Sequence, residues 1–289
     1  MNDHLILEMK RIKLKPLFLV FTIIAAMGSG NLLGQTSVMT FNIRYDNPQD
    51  GQNRWSHRKQ DLVSMLESYA PDILGVQEAL KTQLDFLDDQ LLAYNYLGVG
   101  RDDGLEKGEF TAIFYDTTKL TLIESQTYWL SDSPETVSIG WDASMERIVT
   151  YGAFKLITTN DTLHIFNAHY DHIGKSARKN SSLVILKLIT QKKLDSKKIV
   201  VMGDFNCESQ DEPILALKTK LQDSFESTLT SPVGPHGTWQ SFDPQAVPQR
   251  RIDYIFTSNL VVENYRNIDE RRKNKLCLSD HLPVYIEVN

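Results

Sequence analysis

Cysteine is scarce: the 289-residue sequence holds two, Cys207 and Cys277. Two thiols cannot staple a chain of this length, so folding must rest on a buried apolar core. Neither stands in the C-x-x-C spacing of a zinc site, and both are expected to be buried single thiols. An H-E-x-x-H helix is absent, as is the G-x-S-x-G elbow of serine hydrolases. Gly174-Lys175-Ser176 ends like a phosphate-cradling loop, but His169 stands where that loop needs its first glycine. Positive charge is also short, with 31 Lys+Arg against 37 Asp+Glu and a formal net charge of −6. No low-complexity segment, internal repeat or long Pro/Gly/Ser linker interrupts the chain after Ser37, which favours one domain.

The N-terminus differs from the rest. Lys10, Arg11, Lys13 and Lys15 precede an apolar stretch from Leu17 to Met27, and small residues follow to Gly34. That layout reads as an export signal over residues 1–34, cut near Gly34, with the folded domain at 36–289 and a periplasmic or extracellular destination. The apolar stretch falls short of the ~20 residues needed to span a bilayer. Without the leader, 27 basic and 35 acidic residues leave a formal −8. Such a charge opposes broad phosphate neutralisation along duplex DNA. The basic cluster of Arg266, Arg271, Arg272, Lys273 and Lys275 is interrupted by Asp269 and Glu270 and is expected to be a solvated loop or hairpin.

Apolar runs of strand length recur at Val38–Ile43, Ile73–Val76, Ala112–Tyr115, Leu163–Asn167, Ile199–Met202, Ile252–Phe256 and Val284–Val288. Helical patterns cover Trp55–Tyr69, Thr82–Leu92 and Ser176–Lys193. The mixture predicts an α/β fold. Because Glu109 to Asn167 has strands without helices between them, antiparallel pairing and mixed sheets are expected.

The apolar runs end in polar chemistry. Phe41-Asn42, Gln77-Glu78, Asn167-Ala168-His169, Gly203-Asp204-Phe205-Asn206 and Ser279-Asp280-His281 each close a run, and Asp253 lies inside Arg251-Ile252-Asp253-Tyr254. A buried carboxylate is costly unless it is paired or binds a metal, so repeated carboxylates at strand ends point to a shared cation. The donors of Asn42, Glu78, Asp204, Asn206 and Asp280 are hard oxygens, which suits Mg²⁺, or Mn²⁺, better than zinc. A magnesium site of this kind commonly serves phosphoryl chemistry.

Taken together and in this order, these motifs resemble the endonuclease/exonuclease/phosphatase superfamily, across nearly the whole chain from Asn42 to His281. Phe41-Asn42-Ile43-Arg44, Gly100-Arg101-Asp102-Asp103-Gly104 and Trp141-Asp142-Ala143 are most similar to its exported bacterial members. The resemblance implies a four-layer α/β sandwich, with two mixed sheets face to face and helices outside. It implies Glu78 as principal metal ligand, with Asn42 and Asp280 beside it. It further implies that Asp204 orients or deprotonates the attacking water, that Asn206 holds the phosphate or nucleophile, and that His169 and His281 face the phosphate. Asp253 is then the carboxylate that fixes the tautomer of His281.

Arg44, Arg101, Arg147 and Arg178 are candidates for gripping substrate phosphate, since a guanidinium offers a fork of donors. Asp171 and His172 are candidates to extend the site, and Trp55, Trp141 and Trp239 to floor a pocket, with Trp239 in the loop His236-Gly237-Thr238-Trp239. The expected activity is hydrolysis of a small or single-stranded phosphoester: a nucleotide, oligonucleotide, sugar phosphate or lipid head group. Cleavage of duplex DNA and a non-catalytic binding role are the alternatives. No obligate protein partner is indicated, and a monomer is expected.

Overall fold

The computed structural model describes residues 35–289. The expected leader, 1–34, lies outside the described residues.

Two six-stranded mixed sheets form the molecule's centre. In the first, β1 (Thr36–Asn42) lies parallel to β2 (Ile73–Gln77) and antiparallel to β12 (Val284–Val288). It is completed by β3 (Tyr94–Leu97), β4 (Ile113–Asp116) and β11 (Val262–Asn267), in the order β11-β12-β1-β2-β4-β3. The second is ordered β5-β6-β7-β8-β10-β9, built from β5 (Leu120–Trp129), β6 (Ile148–Leu156), β7 (Thr162–His169), β8 (Lys198–Asp204), β9 (Gln222–Asp223) and β10 (Asp253–Ser258). As expected for a stretch without helices, β5, β6 and β7 are antiparallel neighbours, and β7–β8 is a parallel pair.

The strands read as continuous apolar runs because both faces of each sheet are covered. Val38, Ile73, Ile113 and Ile286 of the first sheet pack with Ile165, Val200, Met202 and Ile255 of the second in the inter-sheet core. Alternate residues point the other way. Met39, Phe41, Leu74 and Val76 meet Leu62, Leu66, Leu84 and Leu87 on α1 (Trp55–Tyr69) and α2 (Lys81–Gln90). On the far side, Phe166, Val201, Phe205 and Tyr254 meet Ile185, Leu188, Ile214 and Leu217 on α3 (Lys175–Gln191) and α4 (Glu212–Leu217). Each buried aliphatic side chain contributes roughly 1.5–3 kcal/mol of transfer free energy, so these three layers dominate stability. The arrangement is the expected four-layer sandwich.

Cys207 and Cys277 are both buried free thiols, as expected. The basic cluster is a loop closed by the antiparallel Arg271–Cys277 bridge, with Arg266, Lys273 and Lys275 exposed as expected, and it departs from expectation at one residue. Arg272 is buried rather than solvated, donating to the Gln52 carbonyl (2.9 Å) and Asn53 Oδ1 (2.5 Å). Trp55 is a core residue, edge-on to Phe86 at 5.8 Å, and does not floor a pocket.

Candidate active site

Strand register assembles half of the site before any loop takes part. At the C-terminal end of β8, Asp204 is paired with His169 of β7 on one side and Asp253 of β10 on the other. Three candidate site side chains therefore stand in one row across neighbouring strands. Gly203 permits this close approach: its φ is +144°, and a Cβ there would lie 1.9 Å from the Ala168 carbonyl oxygen. In the facing sheet Asn42 ends β1 opposite Gln77, so Glu78 follows directly at the same end of the sandwich.

The two rows meet through Asn42. Its fully buried amide nitrogen donates to Glu78 Oε1 and to Asp204 Oδ2, both at 3.0 Å. Its oxygen accepts the Arg44 backbone N–H at 3.0 Å, so the amide links the two carboxylates with its nitrogen toward them. Asp204 Oδ2 also lies 3.5 Å from His169 Nε2 and 3.8 Å from His281 Nε2, while Oδ1 accepts the Asn206 backbone N–H at 2.9 Å. His281 is held from behind, its Nδ1 2.9 Å from Asp253 Oδ2. That same oxygen accepts the Thr238 hydroxyl at 2.6 Å, and Thr238 in turn accepts the N–H groups of Ile252 and Asp253.

These contacts set the charge states. Burial disfavours the imidazolium of His281, but Asp253 and Asp204 beside it hold its pKa well above the usual histidine value. His169 goes the other way: burial, then Arg147 and Arg101, push it well below. Burial and the neighbouring Asp253 push Asp204 up to about 7, and burial likewise raises Asp280. One histidine is thus charged and the other neutral, on either side of a single carboxylate.

A cavity of about 540 Å³ opens over this group, lined among others by Arg44, Glu78, Arg101, Glu109, Arg147, His169, His172, Asp204, Asn206, Trp239, Arg250, Asp280 and His281. Of the candidate grip residues, Arg44, Arg101 and Arg147 line it, and Trp239 stands at it partly exposed. Asp171 and Arg178 do not. Asp171 is fully buried behind the wall, where it accepts Arg147 Nε (3.3 Å), the Ser144 hydroxyl (2.8 Å) and the Gly174 N–H (2.7 Å). Arg178 is spent on the Asp171 carbonyl at 3.1 Å. Neither residue lines the cavity; each instead holds the loop that leads into α3. Trp141 is likewise outside the lining.

Glu109 and Arg250 line the cavity although the sequence offered no strand-end motif at either. Glu109 takes both Arg101 Nη atoms, at 2.7 and 3.1 Å, and its Oε2 lies 3.8 Å from His169 Nδ1. Arg250 stacks over the Trp239 ring at 5.4 Å and pairs with Glu208 at 2.9 Å. Only the fold shows that these segments reach the rim.

Fit to a divalent cation can be judged from the donors. Oxygens or ring nitrogens of Glu78, His169 and Asp204 lie within 4.8 Å of one another, and the buried carboxylates Asp204 and Asp280 are both pushed upward. Clustered acids raised by burial and by one another suit a compensating cation.

Comparison with known proteins agrees with this fold. The chain matches the endonuclease/exonuclease/phosphatase family over residues 39–281. It belongs to that family. A mannosyl-6-phosphatase of Bacteroides thetaiotaomicron superposes with a TM-score of 0.83 at 35% identity, covering 88% of this chain and 99% of its own. A family protein of Bacteroides vulgatus superposes equally well at 33% identity, covering 88% and 98%. An uncharacterized protein of Acanthamoeba polyphaga mimivirus is 28% identical over 250 residues, 81% of this chain and 91% of its own. Members of this family are phosphoesterases, and a hydrolase acting on phosphoester bonds is the class to which the chain's fold and family belong.

Proposed function

We propose that this protein is a divalent-metal-dependent phosphomonoesterase acting on a small, singly phosphorylated substrate such as a sugar phosphate. The observation that carries the reading is how the cavity's arginines are neutralised. Arg44 pairs with Asp50 (3.2 Å), Arg101 with Glu109 (2.7 Å), Arg147 with Asp171 (3.3 Å) and Arg250 with Glu208 (2.9 Å). Each guanidinium brings its own carboxylate, so little free positive charge remains beyond what one phosphate needs. A polyphosphate or a duplex backbone calls for an unbalanced basic track instead. The Bacteroides mannosyl-6-phosphatase, similar across the whole domain, supports the sugar phosphate.

Glu78 and Asp280 would hold the cation, Mg²⁺ by the hardness of the donors, with Asp204 and Asn42 beside it. When bound, the metal neutralises phosphoryl charge and makes water more acidic. Around that centre the chain's own groups have distinct tasks. Asp204 Oδ2, 3.5 Å from His169 Nε2 and 3.8 Å from His281 Nε2, accepts the proton of the attacking water. Asn206, anchored by its Nδ2 on the Tyr170 carbonyl at 3.1 Å, lines the position of the phosphate. The His281 imidazolium, with Nδ1 committed to Asp253, aims Nε2 at the phosphoryl oxygens, where negative charge grows. Neutral His169, crossed by Arg147 Nη1 at 3.2 Å, supplies a second donor. Trp239 offers an aromatic face to a sugar ring at the cavity mouth. We further propose that residues 1–34 direct export and that the enzyme works outside the cytoplasm as a monomer.

The test is hydrolysis of mannose 6-phosphate, a nucleoside monophosphate, a bis-aryl phosphodiester and plasmid DNA, each with Mg²⁺ and with chelator. Turnover of the monoesters well above the diester and the plasmid supports the proposal. Preferential plasmid nicking defeats it in favour of an endonuclease, and metal-independent turnover defeats the metal assignment.

A further inference from the structure

Arg58, on the second turn of α1, is fully buried yet makes no ion pair among the described residues. Its guanidinium lies near the rings of Trp55 (5.1 Å) and Phe242 (5.8 Å) and spends its donors on backbone carbonyls. Nε donates to Asn53 at 2.9 Å, Nη1 to Ile43 and to Leu278 (3.3 Å), and Nη2 to Arg44 at 2.5 Å. Burial lowers its pKa to about 10, while Asp280, Asp50 and Glu78 pull it upward, so it remains a cation at neutral pH. An unpaired buried charge is expensive and calls for a reason.

The acceptors supply one. Ile43 and Arg44 follow Asn42 at the end of β1, and Leu278 precedes Ser279-Asp280, whose hydroxyl member donates to the Asn42 carbonyl at 2.7 Å. These two segments are 235 residues apart along the chain, roughly the span of the domain itself, and both carry site residues. Arg44 also sits in the left-handed region, φ +57°, which costs a side-chain-bearing residue free energy unless its surroundings enforce it. Two donors enforce it at one atom: the Arg44 carbonyl takes Arg58 Nη2 and also Gln83 Nε2 at 3.0 Å. So held, the Arg44 side chain reaches within 3.7 Å of Glu78 and 4.0 Å of Asp280.

We propose that Arg58 is a positioning residue of the catalytic centre: its forked donors lock the left-handed Arg44 turn and tie it to the Leu278–Asp280 segment, fixing the spacing of Arg44, Glu78 and Asp280. The inference rests on the functional reading above, since that spacing matters only if a cation and a phosphate bind there. A lysine keeps the charge but has no planar fork, so it cannot reach separate carbonyls at once.

The experiment compares wild type, Arg58→Lys and Gln83→Leu by two readouts: the rise in Tm with Mg²⁺ alone, and KM and kcat for mannose 6-phosphate. The half-saturating Mg²⁺ concentration in the Tm titration should rise about tenfold or more in Arg58→Lys, as when a residue that orients metal ligands is lost. KM should rise with it, and Gln83→Leu should shift both in the same direction by less. A folded Arg58→Lys that loses Tm but keeps the wild-type Mg²⁺ midpoint and KM overturns the proposal, because Arg58 would then serve packing alone. If Arg58→Lys fails to fold, Gln83→Leu decides, and wild-type values there overturn it equally. A wild type with neither Mg²⁺-dependent Tm nor turnover defeats the functional reading instead.

Discussion

Asp253 and His281 meet at 2.9 Å, carboxylate to imidazole, with both side chains buried. The pairing fixes Nδ1 of His281 as the bonded nitrogen and leaves Nε2 for the cavity. In Asp253→Asn the pKa of His281 should fall toward its ordinary value, observable by titrating the imidazole by NMR in metal-free protein. Turnover should drop by about 10²-fold or more, with KM little changed, as expected for loss of charge stabilisation in the transition state. An unaltered kcat would show that His281 needs no charged partner.

Asp204 stands in contact with Asn42, His169 and His281 at once, so its replacement strikes the centre of the arrangement. Asp204→Ala and His281→Ala are each expected to lose about 10²–10⁴-fold in kcat on the best phosphoester substrate. Steady-state kinetics at saturating Mg²⁺ give the answer directly, and wild-type turnover in both would remove them from the chemistry.

If the proposed cation site is right, Glu78 should bear on metal affinity more than on the fold, because it lines the cavity and lies outside the three apolar layers. Chelation should abolish turnover, and Mg²⁺ should restore it. Mg²⁺ should also raise the Tm of wild type by mass action while leaving Glu78→Gln nearly unmoved. Equal shifts in the two proteins would place the cation elsewhere.

Asp171 carries a pH signature. Burial alone would raise its pKa, but the Gly174 N–H, the Ser144 hydroxyl, the Ile173 N–H and Arg147 hold it at about 2, below the ordinary 3.8. Its stabilising contribution is therefore complete above about pH 4 and is lost as pH falls toward 2. The stability gap between wild type and Asp171→Asn, read by denaturant titration, should narrow over that window. A gap constant between pH 5 and 2.5 would mean that the charge of Asp171 is immaterial to folding.

Gly203 is a backbone requirement. Gly203→Ala would force a Cβ to within 1.9 Å of the Ala168 carbonyl oxygen at φ +144°, so β7 and β8 must separate. A loss of roughly 2 kcal/mol or more in unfolding free energy is expected, with activity falling further as His169 and Asp204 part. Unchanged stability by chemical denaturation would contradict the strand spacing.

Local sequence determined much of this protein. Val284–Val288 and Trp55–Tyr69 are strand and helix as read, because apolar runs and a periodic face ended by Pro71 are signals carried by neighbouring residues. Asn42, Glu78, Asp204 and His281 could be picked out as candidates because polar side chains recur at the ends of apolar runs, and Asp253 because a carboxylate interrupts one. Short or half-exposed elements such as β3, β9 and β11 gave no such signal, since solvent leaves their composition free. Tertiary structure alone decided the partners. It turned Asp171 and Arg178 away from the cavity, brought Glu109 and Arg250 to its rim, and set Thr238 behind Asp253 and Arg58 beneath Arg44. A residue's type limits which bonds it can make, but which atoms come within 3 Å of it depends on strand register and on how two sheets face each other, and neither is written in the stretch of chain around it.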